Sequence, residues 1–187
     1  MKNFWVGFLI GIVFSIIALF VFGYFWGEKM LRNNSLLEPR LKTTDKGKVV
    51  NFNFKLRSLH TDSLIDDNFF KEKVVLLNFW EYWCVPCKRE LPSIAKLYSS
   101  VKDSLVIFAI ISTESPDSTK KDEAIKKYPL PFYSMDGIVP DLFRSEIVPR
   151  TYIINKKGEL VVSEIGAVQW DNERVLGFID SLKKIVN

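Results

Sequence analysis

The distribution of apolar and polar residues divides the chain into three parts. Residues 4–26 carry no charged side chain, whereas residues 27–48 are mostly polar and contain a proline and two glycines. Regular apolar patterns begin only after that. We therefore predict an N-terminal apolar segment over 1–26, a linker over 27–48 and a globular domain over 49–187.

The spacing of apolar residues predicts the strands of the globular domain. Every second residue is apolar in one stretch, which is typical of a half-buried strand: Val50, Phe52, Phe54 and Leu56. Residues 74–80 and 105–112 are nearly continuous apolar runs, as expected for strands that are covered on both faces. A short strand is predicted over 131–135. A hairpin is predicted over 151–165, with its turn at Gly158.

Helical spacing predicts the remaining elements. One apolar helical face follows the first buried run, and a second closes the domain: Leu91, Ile94, Tyr98 and Val101, then Val175, Ile179, Leu182 and Val186. A charged surface helix is predicted over 117–128. Buried strands that alternate with helices and end in a hairpin indicate an α/β fold with a central mixed sheet flanked by helices.

The N-terminal segment has the length and composition of a membrane anchor. A helix over residues 4–26 would be roughly 34 Å long, which is enough for the ~30 Å hydrocarbon core of a bilayer. Its end is formed by the bulky residues Tyr24, Phe25 and Trp26, whereas a cleaved signal peptide ends in small residues. We predict one uncleaved N-terminal transmembrane helix.

Charge and cysteine content exclude other classes of protein. The formal net charge is +4, and the lysines and arginines are scattered along the chain instead of forming a basic stripe. A nucleic-acid partner is therefore not expected. The chain has only two cysteines, so no disulfide framework supports the fold.

Both cysteines, Cys84 and Cys87, lie where the predicted buried strand gives way to a helix. A thiolate is stabilised at a helix N-terminus, and a cysteine three residues later lies one turn away on the same face. Pro86 is tolerated in a first helical turn. A zinc site would need four ligands, and the only other candidate is His60 in a polar turn. A redox pair is favoured over zinc binding and over two inert cysteines.

These residues also carry a resemblance. The stretch "VVLLNFWEYWCVPCKRELPSI" resembles the membrane-anchored thioredoxin-like thiol–disulfide oxidoreductases of the TlpA/ResA type. The stretch "IVPRTYIINKKGELV" is similar to the cis-proline loop and hairpin of that family. The resemblance covers about residues 49–187 and implies a thioredoxin-like fold.

The resemblance implies roles for particular residues. Cys84 would attack the substrate disulfide and Cys87 would resolve the mixed disulfide, so the two form a redox-active disulfide. Pro149 would be in the cis form, and it would contact the substrate together with Val148 and Trp83. No metal and no cofactor is implied.

Three polar residues near the pair also bear on the chemistry. Glu90 matches the acidic residue that the family places near the sulfurs, and its alternative is a surface carboxylate on the helix. Asn78 stands where thioredoxin itself has a buried aspartate, so proton transfer would fall to Glu90 or to water. Glu81 replaces a small residue, and its charge would raise the pKa of the Cys84 thiol if it faced the site.

The resemblance further implies a reductase that faces the periplasm or outer surface from the cytoplasmic membrane. Its substrates would be exported proteins with disulfides, apocytochrome c among them, and a membrane thiol relay would supply electrons. The distribution of basic residues predicts the opposite orientation, with the domain in the cytoplasm. Lys2 precedes the apolar segment, whereas four basic residues follow it: Lys29, Arg32, Arg40 and Lys42. The alternative function is a redox-silent binding module that docks partners through the Pro149 loop.

Overall fold

The computed structural model describes residues 14–23, 38–41, 47–101 and 103–184. Residues 14–23 form a helix, α1, whose large apolar side chains are exposed. The predicted anchor over 4–26 includes residues on both sides of 14–23 that lie outside the described residues, so the structure does not describe the complete anchor. Within the described ranges, no helix combines the length and the apolar character needed to cross a membrane.

The globular unit contains a seven-stranded sheet and four helices among its described residues. The strands are β1 (Lys55–Ser58), β2 (Leu64–Ile65), β3 (Val74–Phe79), β4 (Val106–Ser112), β5 (Phe132–Asp136), β6 (Arg150–Ile154) and β7 (Leu160–Ile165). The helices are α2 (Val85–Val101), α3 (Pro116–Thr119), α4 (Glu123–Lys127) and α5 (Glu173–Lys183). A 3₁₀ turn covers Asp67–Phe69.

The strand order is β2-β1-β5-β4-β3-β6-β7. Strands β3, β4 and β5 run parallel to one another, whereas β6 pairs antiparallel with β3 and forms a hairpin with β7. The predicted mixed α/β sheet is confirmed, as is the hairpin turn at Gly158, which has a φ of +78°. The carboxyl end of β3 lies between β4 and β6, so a residue that follows β3 is flanked on both sides.

Every residue of β3 is buried, as expected for a strand covered on both faces. On one face Leu76 belongs to an apolar cluster with Leu91 of α2 and Ile179 of α5. On the other face Leu77 packs in a second cluster that includes Phe143. Burying a side chain of this size contributes roughly 1.5–3 kcal/mol, so the two clusters hold β3 and α2 in a fixed relation.

The alternating pattern over residues 50–56 was only partly a strand. Pairing with β5 begins at Lys55, and Val49 makes an isolated bridge to Glu159. Val50 and Phe54 are nevertheless buried. The pattern reports burial of one side of the segment, of which only the end, from Lys55 on, pairs in the sheet as a strand.

The helix predicted over 117–128 is instead two short helices. Ser115 caps α3 by accepting the backbone N–H of Ser118, and Asp122 caps α4 by accepting that of Ala124. Two N-caps seven residues apart begin two helices and interrupt a single one. In α2, Leu97 is fully buried while Tyr98 is 37% exposed, so the buried face is rotated slightly from the predicted one.

Residues 38–41 of the predicted linker contact the globular unit. The backbone N–H of Arg40 donates to Glu164 Oε2 at 2.6 Å, and its guanidinium lies 3.3 Å from Glu164 Oε1. Arg174 of α5 donates to the backbone carbonyl of Pro39. Residues 38–41, which we call the strap, therefore pack on β7 and α5.

Candidate active site

Cys84 and Cys87 form a disulfide at the N-terminal end of α2. The backbone N–H of Cys87 donates to Cys84 Sγ at 3.2 Å, and the backbone carbonyl of Cys84 accepts the N–H of Lys88 at 3.2 Å. Cys84 therefore occupies the position where a helix has unpaired N–H groups and the positive end of its dipole. Both effects favour a thiolate on this sulfur in the reduced protein.

The two sulfurs are enclosed by a largely apolar surface. Cys84 is 3% exposed and Cys87 is 1% exposed, whereas Trp83 and Val85 on either side of Cys84 are 57% and 59% exposed. The indole N–H of Trp83 donates to Glu114 Oε1 at 3.3 Å. A partner that reaches Cys84 therefore has to pass exposed apolar side chains.

The peptide bond between Val148 and Pro149 is cis, as the resemblance implied. The carbonyl oxygen of Val148 lies 3.7 Å from Cys84 Sγ, which brings this loop to the disulfide. A disulfide sulfur carries no hydrogen, so this approach is a contact and not a hydrogen bond. Within the described residues, neither the N–H nor the C=O of Val148 bonds to another backbone group. They remain available to an extended partner segment.

Glu90 is buried, and the alternative that it is a surface carboxylate is wrong. Cys87, Glu90, Leu91 and Ile94 are all buried and fall on one face of α2, at positions i, i+3, i+4 and i+7. Glu90 thus lies one helical turn beyond Cys87 on the same face.

Three side chains donate hydrogen bonds to Glu90 Oε1. Asn78 Nδ2 lies at 2.8 Å, Trp170 Nε1 at 2.9 Å and Thr151 Oγ1 at 3.2 Å. The second oxygen, Oε2, is buried without a hydrogen-bond partner in the described part of the chain. The sequence pattern did not reveal Trp170, which lies 80 residues from Glu90 in a segment without periodicity.

Burial raises the pKa of Glu90 from its usual 4.5 to about 7. The donors Trp170, Thr151, the Val168 backbone and Asn78 favour the charged form and oppose this shift without cancelling it. A carboxyl group with this pKa exchanges its proton near neutral pH. Asn78 does not titrate, so Glu90 is the group beside the disulfide that can carry a proton.

The carboxylate of Glu81 forms hydrogen bonds at the end of β4. Its oxygens accept hydrogen bonds from Ser112 Oγ at 2.6 Å and from the backbone N–H and hydroxyl of Thr113 at 2.9 and 2.7 Å. Its backbone carbonyl accepts the N–H of Cys84 at 3.0 Å. Glu81 therefore ties the loop after β3 to the end of β4.

In the described ranges, no group of three histidine, cysteine or acidic side chains is placed to hold a metal ion. Both sulfurs are used in the disulfide. His60 is exposed, and its ring Nε2 lies 3.0 Å from the carbonyl oxygen of Leu130. The cysteine pair and the buried Glu90 carboxyl group are the reactive groups that the structure brings together at this site.

The chain is a thioredoxin-like protein and belongs to the AhpC/TSA family, whose model matches residues 47–163. It is 34% identical to the thiol-disulfide oxidoreductase ResA of Oceanobacillus iheyensis over 113 residues, which is 59% of this chain and 57% of ResA. It is 35% identical to the thioredoxin-like protein YneN of Bacillus subtilis over 121 residues, 63% of this chain and 69% of YneN. The match thus spans just under three fifths of the length of ResA.

Solved structures agree on the fold. The thioredoxin domain of a thiol-disulfide oxidoreductase from Bacteroides vulgatus matches with a TM-score of 0.56 and 19% identity, over 76% of this chain and all of that domain. A thiol-disulfide isomerase from Corynebacterium glutamicum matches with a TM-score of 0.57 and 16% identity, over 74% of this chain and 97% of the other. At these identities the likeness is one of fold.

Proposed function

We propose that the chain is a thiol–disulfide oxidoreductase whose Cys84–Cys87 pair exchanges electrons with protein disulfides. The observation that carries this proposal is the disulfide at the N-terminus of α2, with the Val148 carbonyl 3.7 Å from the Cys84 sulfur. The ResA relatives, which are named thiol-disulfide oxidoreductases, support the same activity.

In the reduced protein, Cys84 begins the reaction as a thiolate. The Cys87 backbone N–H and the helix N-terminus stabilise this charge. The thiolate attacks one sulfur of the substrate disulfide, so that this S–S bond breaks while a mixed disulfide forms. The other substrate sulfur leaves as a thiolate and takes up a proton.

Cys87 completes the reaction. Its thiol loses a proton and attacks Cys84 Sγ, which re-forms the Cys84–Cys87 disulfide and releases the second substrate sulfur as a thiolate. The substrate disulfide thus gains two electrons, which the Cys84–Cys87 pair loses, and its two thiolates take up the proton released by Cys87 and one proton from solvent. A thiol donor has to reduce the pair before the next turnover.

Glu90 is placed to accept the proton that the Cys87 thiol loses. It lies one turn away on the same buried face of α2, and its pKa of about 7 lets it accept this proton and pass it on at neutral pH. Water has little access to the buried Cys87, so a carboxyl group in the core takes the place of solvent.

The substrate would bind as an extended segment beside the cis-proline loop. The N–H and C=O of Val148, which bond to no other backbone group among the described residues, can form strand-like hydrogen bonds that recognise backbone and not sequence. Trp83, Val85 and Ile147 are each more than half exposed and would supply the apolar rim. We therefore propose a substrate-binding role for Trp83, Val148 and Pro149.

In the cell we propose a reductase of exported disulfide proteins, with cytochrome c maturation as its setting. The N-terminal segment would hold it in the cytoplasmic membrane, with the domain on the periplasmic or outer side and a membrane thiol relay as electron donor. The exposed apolar side chains of α1 support anchoring. No histidine lies between the cysteines to stabilise the thiolate further, and this supports the reducing direction.

Insulin reduction by the prereduced full-length protein tests the activity. The wild type should reduce insulin disulfides, and Cys84→Ser should not exceed the background rate. Ser99→Ala, which removes an exposed hydroxyl at the far end of α2, is the control and should match the wild type. Equal rates for the wild type and Cys84→Ser would favour a redox-silent binding module that docks through the Pro149 loop.

A further inference from the structure

The hydrogen bonds to Glu90 are distributed unequally between its two oxygens. Oε1 accepts donors from three different elements: Asn78 in β3, Thr151 in β6 and Trp170 in the segment between β7 and α5. Oε2 has no partner of normal hydrogen-bond geometry within the described part of the chain, although it is buried and the Val168 backbone also favours the charged form of this carboxyl group. Buried polar atoms are rarely left unpaired, so this asymmetry calls for an explanation.

Trp170 is fixed to α2 at two points. Its indole N–H donates to Glu90 Oε1 at 2.9 Å, and its backbone N–H donates to Ser93 Oγ at 3.2 Å. The Ser93 hydroxyl in turn donates to the backbone carbonyl of Glu90 at 2.8 Å. The ring is fully buried, so its orientation is set by packing as well as by these bonds.

We propose that Trp170 is a positioning residue for Glu90. Together with Asn78 and Thr151 it occupies Oε1, so that Oε2 is the oxygen that takes up and releases the proton exchanged with Cys87. This inference rests on the proposed function only for the identity of the proton's donor.

The geometry determines which oxygen is protonated. A carboxyl oxygen has two lone pairs, and an oxygen that already accepts three donors has no free direction for a hydrogen of its own. The neutral acid therefore carries its hydrogen on Oε2. The same donors stabilise the carboxylate, so the loss of one of them should raise the pKa of Glu90 still further.

Other charges around Glu90 are compensated. Strands β3 and β6 present Asn78 and Thr151 to it, which do not titrate near neutral pH. Glu164, opposite Thr151 in the sheet register, forms an ion pair with Arg40; Asp171, next to Trp170, forms one with Lys96; and Cys87 is in the disulfide. The effect of the Trp170 N–H can therefore be separated from charge effects.

Trp80 provides a matched control. Like Trp170 it is fully buried and belongs to the apolar cluster that includes α2. Its indole nitrogen makes no hydrogen bond among the described residues. Trp80→Phe and Trp170→Phe therefore remove the same ring volume, but only Trp170→Phe removes a donor from Glu90.

The test is the titration of Glu90 itself in the oxidised full-length protein, kept in solution with mild detergent. Infrared difference spectra follow the carbonyl band of the neutral carboxyl group, and its loss in Glu90→Gln assigns the band. The wild-type midpoint should lie at about pH 7. Trp170→Phe should raise it by roughly one pH unit or more, because a hydrogen bond to a charged group is lost. Trp80→Phe should leave it unchanged.

An unchanged midpoint in Trp170→Phe, or an equal shift in both tryptophan variants, would overturn the inference. If Trp170→Phe does not fold, Thr151→Val removes another Oε1 donor at nearly constant volume. It should also raise the midpoint, and a folded Thr151→Val protein with an unchanged midpoint would contradict the assignment of Oε1. This readout needs no disulfide exchange, so a failure of the proposed function would appear separately, as an inactive wild type.

Discussion

Asn78 Nδ2 lies 2.8 Å from Glu90 Oε1, and this hydrogen bond joins the central strand β3 to helix α2 inside the core. The two residues flank the disulfide in sequence, since β3 ends before Cys84 and Glu90 follows Cys87. The bond therefore fixes the position of Glu90, the titrating group among these hydrogen-bonded side chains, relative to the two sulfurs. Asn78 stands where thioredoxin itself has a buried aspartate. Its amide does not titrate, but it holds the carboxyl group of Glu90 in place.

The stability of the oxidised protein should fall as the pH rises from about 5 to about 8. Burial raises the pKa of Glu90 from 4.5 to about 7, so the folded protein keeps a proton that the unfolded chain has already lost. The folded state is therefore penalised above pH 4.5, and the penalty is complete above pH 7. It should amount to about 3 kcal/mol in the free energy of unfolding.

Chemical denaturation at pH 5 and pH 8 measures this difference. Glu90→Gln, which has no proton to lose, should remove most of the pH dependence. Glu72→Gln alters an exposed carboxylate and should behave like the wild type. Parallel pH curves for the wild type and Glu90→Gln would show that Glu90 does not titrate as described.

The buried face of α2 shows what the sequence could predict about this site. Cys87, Leu91 and Ile94 have helical spacing, and Glu90 lies within the same stripe, so its burial could have been read from the pattern. Trp170 could not, because it meets Glu90 only through the packing of the segment before α5. A contact across 80 residues leaves no local periodicity.

The strands also divide into those that the sequence could predict and one that it could not. Strands β3 and β4 are apolar except for Asn78 and Ser112, and both were predicted almost to the residue. Strand β2 has only two residues and no pattern of its own, so its pairing with β1 depends on tertiary contacts. The break between α3 and α4 has a visible signal in the sequence, the capping residue Asp122.

Arg40→Ala should destabilise the globular unit. The Glu164 side chain is only 5% exposed, and loss of the guanidinium leaves this carboxylate with the backbone N–H of Arg40 as its described donor. Because the Arg40 side chain is itself 78% exposed, we expect a loss of about 1–2 kcal/mol, less than for a fully buried pair.

The free energy of unfolding measures this effect. Arg144→Ala, which breaks an exposed pair with Asp141, is the control and should change stability by less than about 0.5 kcal/mol. Equal effects of the two variants would mean that the strap adds nothing to the folded domain.

Trp83→Ala should weaken exchange with protein substrates and leave exchange with a small-molecule disulfide nearly unchanged. The side chain is 57% exposed beside Cys84, so its loss removes contact area for a large partner without opening the core. Leu64→Ala on the edge strand β2 changes a residue of similar exposure and should have no effect on either rate. An equal loss on both kinds of substrate would indicate that Trp83 acts on the cysteine and not on docking.

The exchange mechanism has its most direct test in the mixed disulfide. Without the resolving thiol, Cys87→Ser should accumulate proteins linked to Cys84, visible on a nonreducing gel and identified by mass spectrometry. Pro149→Ala added to this variant should reduce capture, because it alters the loop that lies against the Cys84 sulfur. Cys84→Ser should capture nothing.

The decisive measurement is therefore the set of adducts on Cys87→Ser isolated from cells. We predict covalent adducts to exported proteins with paired cysteines, released by reductant and absent from Cys84→Ser. An absence of adducts on Cys87→Ser, while Cys84 can still be alkylated, would contradict the assignment of this chain as a thiol–disulfide oxidoreductase.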